Sequence, residues 1–137
     1  MKPSQPNVEY CIEHKDWING LLEKRGWQVG DWCERRLSCG PTVVSEVKDG
    51  EPYFVETVGR GRGTFFHMGH WDIIWLPSEG DVLAMLETIG IESVVVFKAS
   101  VSEGYFAGYS RPTEPTYYGL TRLIALLELV RAVEERG

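Results

Sequence analysis

Cysteine is scarce in this chain, and its number is odd: Cys11, Cys33 and Cys39 are the only three among 137 residues. They cannot all pair within one molecule, and so sparse a set suits reduced thiols better than a disulfide framework. Long apolar runs are missing as well. No stretch approaches the roughly 18 consecutive apolar residues a membrane-spanning helix requires, and the opening MKPSQPNVEY has no apolar core of a secretory signal. The expected setting is therefore the cytoplasm, with no membrane partner. Positive charge is in deficit: 14 Lys and Arg stand against 20 Asp and Glu, for a formal charge of −6. That balance works against non-specific attraction to DNA or RNA. Internal repeats and low-complexity segments are lacking too.

Several catalytic signatures are missing. GRGRG at 59–63 has no Gly-Lys-Ser/Thr ending and falls short of the dinucleotide fingerprint, and the residues after it read as strand. A phosphate cradle needs the unpaired N–H groups of a following helix, so the run reads as a turn with solvated arginines. An anion or acidic partner at Arg60 and Arg62, with Arg35 and Arg36, is the minor option. The same arginines with Trp27, Trp32 and Trp71 offer a small stacking surface for nucleic acid, which the overall acidity disfavours. No GxSxG nucleophile elbow occurs, and Cys39-Gly40-Pro41 with three histidines is merely compatible with a Cys-His pair. Glu79 with Asp81, and Glu134 with Glu135, read as helix-end or surface charge rather than paired acids.

What is present is apolar and aromatic: 43% of residues are hydrophobic and 12% aromatic, enough for one core and too few for two comfortable ones. The expectation is a loose segment over 1–7 followed by a single α+β domain over 8–137. Helical spacing of Val8, Cys11, Ile18, Leu21 and Leu22 predicts a first helix from Asn7 to Gly26, with Asn19-Gly20 as its weak point. From Trp27 to Trp75 the residues turn β-branched and aromatic. This predicts a strand at Trp32–Leu37, a hairpin of Thr42–Lys48 and Tyr53–Val58 about Asp49-Gly50, and a strand from Thr64 to Ile74.

Ser78 and Asp81 punctuate a second helix bearing Val82, Met85, Leu86 and Ile89. Val94–Phe97 is apolar at every position, which places it centrally in a sheet, with Tyr105–Tyr109 as its hairpin partner. The third helix is expected after Pro115-Thr116. Its apolar residues cover an arc of roughly 220°, more than the ~100° one sheet contact uses. Burial between sheet and helix is the plain explanation; a homodimer interface through Leu126, Leu129 and Val133 is the sharper one. The order α-β-β-β-β-α-β-β-α implies a mostly antiparallel sheet of five to six strands with three helices packed against it.

HMGHWD at 67–72 is where chemistry would sit, because one tight segment can present His67, His70 and Asp72 together. On a straight strand the two histidines face opposite ways, so the site depends on Gly69 forming a bulge. Metal-ligand spacing is poor: Cys11 and His14 can share a helix face, but Cys33 and Cys39 are set too far apart for a zinc ribbon. No metal and no cofactor is expected.

Gly30-Asp31-Trp32, the run Trp75-Leu76-Pro77-Ser78-Glu79-Gly80-Asp81-Val82-Leu83-Ala84-Met85-Leu86, and the Ala/Leu-rich closing helix resemble small phage- and prophage-encoded proteins of unassigned function. The likeness spans most of the chain. It implies a bacterial or phage context and a cytoplasmic protein, and it assigns no catalytic residue. The first functional expectation is a small non-catalytic binding or assembly module that forms a homodimer, with another protein as a further possible partner. The alternative is a small hydrolytic enzyme, metal-dependent or not, built on His67 to Asp72.

Overall fold

The structure, a computed structural model, describes residues 2–35, 41–58, 62–67, 73–91, 93–109 and 115–136; for residues 35, 55–58 and 62–67 it describes the backbone alone. The chain is α+β, with four helices and nine strands among the described residues. The strands form three antiparallel three-stranded sheets rather than one sheet of five or six. The backbone groups into two compact units, Met1–Leu76 and Pro77–Gly137.

In the first unit, the predicted first helix is two helices, α1 (Gln5–Glu13) and α2 (Lys15–Arg25). The break falls at His14, whose backbone (φ −112°, ψ 32°) lies outside the helical well and serves as C-cap of one and N-cap of the other. Its ring rests on Tyr10, with centroids 4.4 Å apart. Pro6, which marked a loose end in the sequence, lies in the first turn of α1, where its missing N–H would have no intrahelical partner anyway. Asn19-Gly20 stays helical.

The Asn19 side chain explains its place. Its amide donates to the Ile73 carbonyl at 2.8 Å, and its oxygen accepts the Trp75 N–H at 3.0 Å. Both groups belong to β6 (Ile73–Leu76), an edge strand of the sheet ordered β2 (Pro41–Val43), β1 (Trp32–Arg35), β6. A carboxamide carries a donor and an acceptor, so it mimics one peptide unit of a neighbouring strand and closes that edge. The register pairs Trp32 with Leu76 and Cys33 with Trp75.

The second sheet, β3 (Glu46–Lys48), β4 (Glu51–Val58) and β5 (Arg62–His67), contains the expected Asp-Gly hairpin. Asp49 (φ 53°) and Gly50 (φ 78°) both have positive φ, the requirement of the tight turn that matches strand twist. The predicted strand Thr42–Lys48 is divided between the two sheets. Val44 exchanges main-chain hydrogen bonds with Gly30 and Asp31, whereas Ser45 donates to Tyr53, so the chain changes sheet between these residues. Val44, Cys33 and Phe54 form a buried cluster there, flanked by Trp27, Val47 and Ile73.

The predicted strand Thr64–Ile74 is likewise divided: β5 ends at His67 and β6 begins at Ile73, in different sheets. The start of β1 is fixed by Asp31, which is buried and accepts from Arg25 at 2.6 Å and from the Gln28 N–H at 2.8 Å. The guanidinium of Arg25 also lies 4.8 Å from the Trp75 ring centre. The Asp of Gly30-Asp31-Trp32 thus ties the end of α2 to the first strand.

In the second unit, α3 (Glu79–Thr88) carries the expected punctuation in full. Asp81 donates its N–H to the Ser78 hydroxyl and its carboxylate receives the Ser78 N–H, a reciprocal capping box. The third sheet is ordered β7 (Val94–Lys98), β8 (Tyr105–Tyr109), β9 (Tyr117–Gly119). Two sequence expectations change here. β7 is an edge strand, not a central one, and Tyr117–Gly119 is a strand before the last helix, α4 (Arg122–Arg136), begins. At Gly119 a Cβ would collide with the backbone of Ile124 and Ala125, so glycine is what allows β9 to run straight under the first turn of α4.

Candidate functional site

The two faces of the third sheet differ in what covers them. Register pairs Val94 with Tyr109, Val96 with Ala107 and Lys98 with Tyr105, and Ala107 with Tyr117. Alternation puts these residues on one face. Ala107 is fully buried there, and α4 packs on β8 and β9, with less contact to β7. Seven α4 residues from Leu123 to Val130, including Leu126 and Leu129, are buried. The large apolar arc of this helix is consumed to that extent inside its own unit.

The opposite face carries Val95 and Phe97 on β7, Phe106 and Gly108 on β8, and Tyr118 on β9. Phe97 and Tyr118 are each 46% exposed and Val95 is 42% exposed. The rings form a row across the three strands: Phe97 and Phe106 stack at 5.7 Å and 23°, and Phe106 meets Tyr118 edge-on at 5.5 Å and 61°. Offset-stacked and edge-to-face pairs at these distances are mutually attractive, by about 0.5–1.5 kcal/mol each. Tyr118 is held further by its hydroxyl, which donates to the Glu103 carbonyl. Its ring lies over Gly104, where φ is 110° and a Cβ would meet the tyrosine ring. The β7–β8 turn therefore needs glycine both for its backbone and for the room Tyr118 takes. The row is an apolar surface, exposed at Phe97 and Tyr118 and half-buried at Phe106.

Beside the β7 edge lies a groove of about 330 Å³, lined by Leu83, Glu87, Ile91 and Val94. Three of its linings are apolar and one is a carboxylate.

The residues singled out by sequence are distributed as follows. His67 ends β5 opposite Tyr53, with its backbone alone described; His70 and Asp72 lie outside the described residues. Arg62 opens β5 opposite Val58 and Arg35 closes β1 opposite Ile73, again as backbone, while Arg60 and Arg36 are outside the described residues. The expected GRGRG turn connects strands that pair up to Val58 and Arg62, and its residues 59–61 are also outside the described set. Leu126 and Leu129 are buried and Val133 is half-buried. Among the described residues, no group of three or more His, Cys, Asp or Glu is placed to hold a metal ion. Cys11 is buried, and burial pushes its thiol up to about 12, far from a reactive thiolate. Cys33 is buried against the Thr42 carbonyl, and Cys39 is not among the described residues.

The aromatic row was missed by sequence reasoning, although half of it was legible. The hairpin turn at Ser102-Glu103-Gly104 sets the register that places Phe97 beside Phe106. Tyr118 was hidden because Tyr117–Gly119 reads as the approach to a helix. Comparison with known proteins adds nothing to this geometry: no family model, no curated protein and no solved structure matches the chain.

Proposed function

We propose that this protein is a small non-catalytic assembly module whose working surface lies on the third sheet, and that it associates with a second copy of itself. The observation that carries the reading is the row Phe97, Phe106 and Tyr118, exposed at its two ends, on a sheet whose other face is covered by α4 mainly over β8 and β9. Aromatic side chains held rigid on a sheet supply large contact area at low entropic cost. A formal charge of −6 works against the basic groove that a nucleic-acid stacking platform combines with its rings, so a protein surface suits the row better. No described helix is long and apolar enough to cross a membrane. The bacterial or phage setting, in the cytoplasm, is the one implied by the sequence resemblance. The hydrolytic alternative through His67, His70 and Asp72 gains no support from the described residues.

Sedimentation velocity over the micromolar range tests the reading. The wild-type chain is expected to shift from monomer to dimer with concentration, and Phe97→Ser to shift the balance towards monomer. A wild-type chain that stays monomeric throughout removes the assembly role.

A further inference from the structure

The edge of β7 has a chemistry of its own. The Ala99 N–H donates to the Gly104 carbonyl, continuing the β7–β8 register. In an antiparallel pair, hydrogen-bonded and non-hydrogen-bonded positions alternate. Ala99, Phe97 and Val95 therefore turn their main-chain groups towards β8, and Val94, Val96 and Lys98 turn theirs to the open side. Among the described residues no strand pairs with that side. It carries no proline and no bulge, two of the devices that blunt an exposed edge, and its single charge is Lys98 at the end of the strand.

Resting on the assembly reading, we infer that two copies join through antiparallel pairing of their β7 edges, with the two-fold axis at Val96 and Lys98 of each copy seated in the Leu83–Glu87–Ile91–Val94 groove of the other.

Three constraints select this arrangement. The first is parity: directly opposed residues must share a face, so the axis passes through a residue, and near the strand's centre that residue is Val95, Val96 or Phe97. The second is the ladder. An axis at Val96 opposes Val96 to itself and Val94 to Lys98 of the partner subunit, all with outward main-chain groups, giving about six hydrogen bonds. An axis at Val95 or Phe97 sets at its centre residues whose groups are already turned to β8 and gives fewer within the strand. The third is the groove. Lys98 is exposed on the same face as Val94, and in a hydrogen-bonded pair the opposed Cα atoms are about 5.5 Å apart.

The partner's Lys98 stem then lies along Leu83, Ile91 and Val94, and its ammonium reaches Glu87, the charged residue of the lining among the described residues. Neither Lys98 nor Glu87 has an ion-pair partner among the described residues. The symmetry makes the contact twice. On the other face, Phe97 of each copy is set across from Val95 of its mate, an aromatic and β-branched pair, so the two rows of rings share one face of a six-stranded sheet and are offset by two residues at the seam. Because α4 lies mainly over β8 and β9, it leaves the edge open to the second copy.

Sedimentation equilibrium on the full chain tests this with three single variants and one double variant. Val96→Pro deletes the outward N–H at the axis while leaving the β8 ladder intact, a place where an edge strand accepts proline; dimerisation is expected to weaken at least about a hundredfold. Lys98→Glu and Glu87→Lys each replace two attractions by two repulsions and are expected to weaken it about tenfold. The double variant, which restores opposite charges with the order reversed, is expected to recover the wild-type constant. Circular dichroism on each variant confirms a folded chain. A dimer that all three variants leave unchanged overturns this pairing but not the assembly reading. Single charge variants that weaken the dimer without recovery in the double variant overturn the Lys98–Glu87 contact. A monomeric wild type overturns both.

Discussion

Asn19 occupies a position where neither its own preference nor that of Gly20 favours helix, yet the side chain is bonded at both ends to β6. The cost of asparagine in the helix is offset by two partly buried hydrogen bonds. Asn19→Ala is expected to destabilise the first unit by about 1–3 kcal/mol, because a donor and an acceptor on β6 lose their partners together. Asn19→Asp keeps the acceptor for Trp75 but sets an oxygen against the Ile73 carbonyl, so it should recover part of that loss at most; urea melts of the two variants separate the contributions. Cys11 gives a second test at this scale. Burial raises its thiol from 9.0 to about 12. The folded state therefore holds its proton where the unfolded chain has released it, and this group's contribution to stability is intact below pH 9 and lost as pH rises through that interval. Iodoacetamide at pH 8 should leave Cys11 unmodified in the native protein and modify it in denaturant, as mass spectrometry of its peptide would show.

Among the elements, α3 is the one whose sequence and structure agree most closely. Ser78→Ala removes one half of its capping box and should cost about 1 kcal/mol, read as a lower midpoint in thermal unfolding. Such local punctuation was legible because its cause lies within four residues. The same holds for the Asp49-Gly50 hairpin and for the helical stripe of α4. Sheet membership was not legible, because it depends on distant partners. Thr42–Lys48 has an unbroken strand composition, and only the bonds of Val44 to Gly30 and Asp31, and of Ser45 to Tyr53, divide it. Val94–Phe97 misled for a related reason: apolar residues on both faces usually mean a central strand, whereas here the outward half forms the aromatic row. The candidate site was accordingly only half visible. Phe97 and Phe106 follow from one hairpin, but Tyr118 needs the return of β9, a strand of three residues followed two residues later by a helix.

For the molecule as a whole, association and stability are linked. If two copies pair only when folded, the thermal midpoint rises with protein concentration, since mass action draws the folded monomer into dimer. Calorimetry over a hundredfold concentration range is expected to show that rise for the wild type and a flat midpoint for Val96→Pro. Salt should reduce the wild-type effect in part, because exposed ion pairs are screened while a main-chain ladder is not.

The register of the first sheet sets an order of events during synthesis. Trp32 pairs with Val43 on one side and with Leu76 on the other, so β1 gains β2 early while its second edge waits for a strand far along the chain, a loop that must close before its contacts repay the lost entropy. Leu76 is also the last residue of its unit. Both N-terminal helices and the Asp49-Gly50 hairpin thus emerge from the ribosome well before the strand that Asn19 grips. The second unit draws its sheet from one short stretch and has no such wait. The half of the chain made first is therefore the half that depends longest on protection from wrong partners.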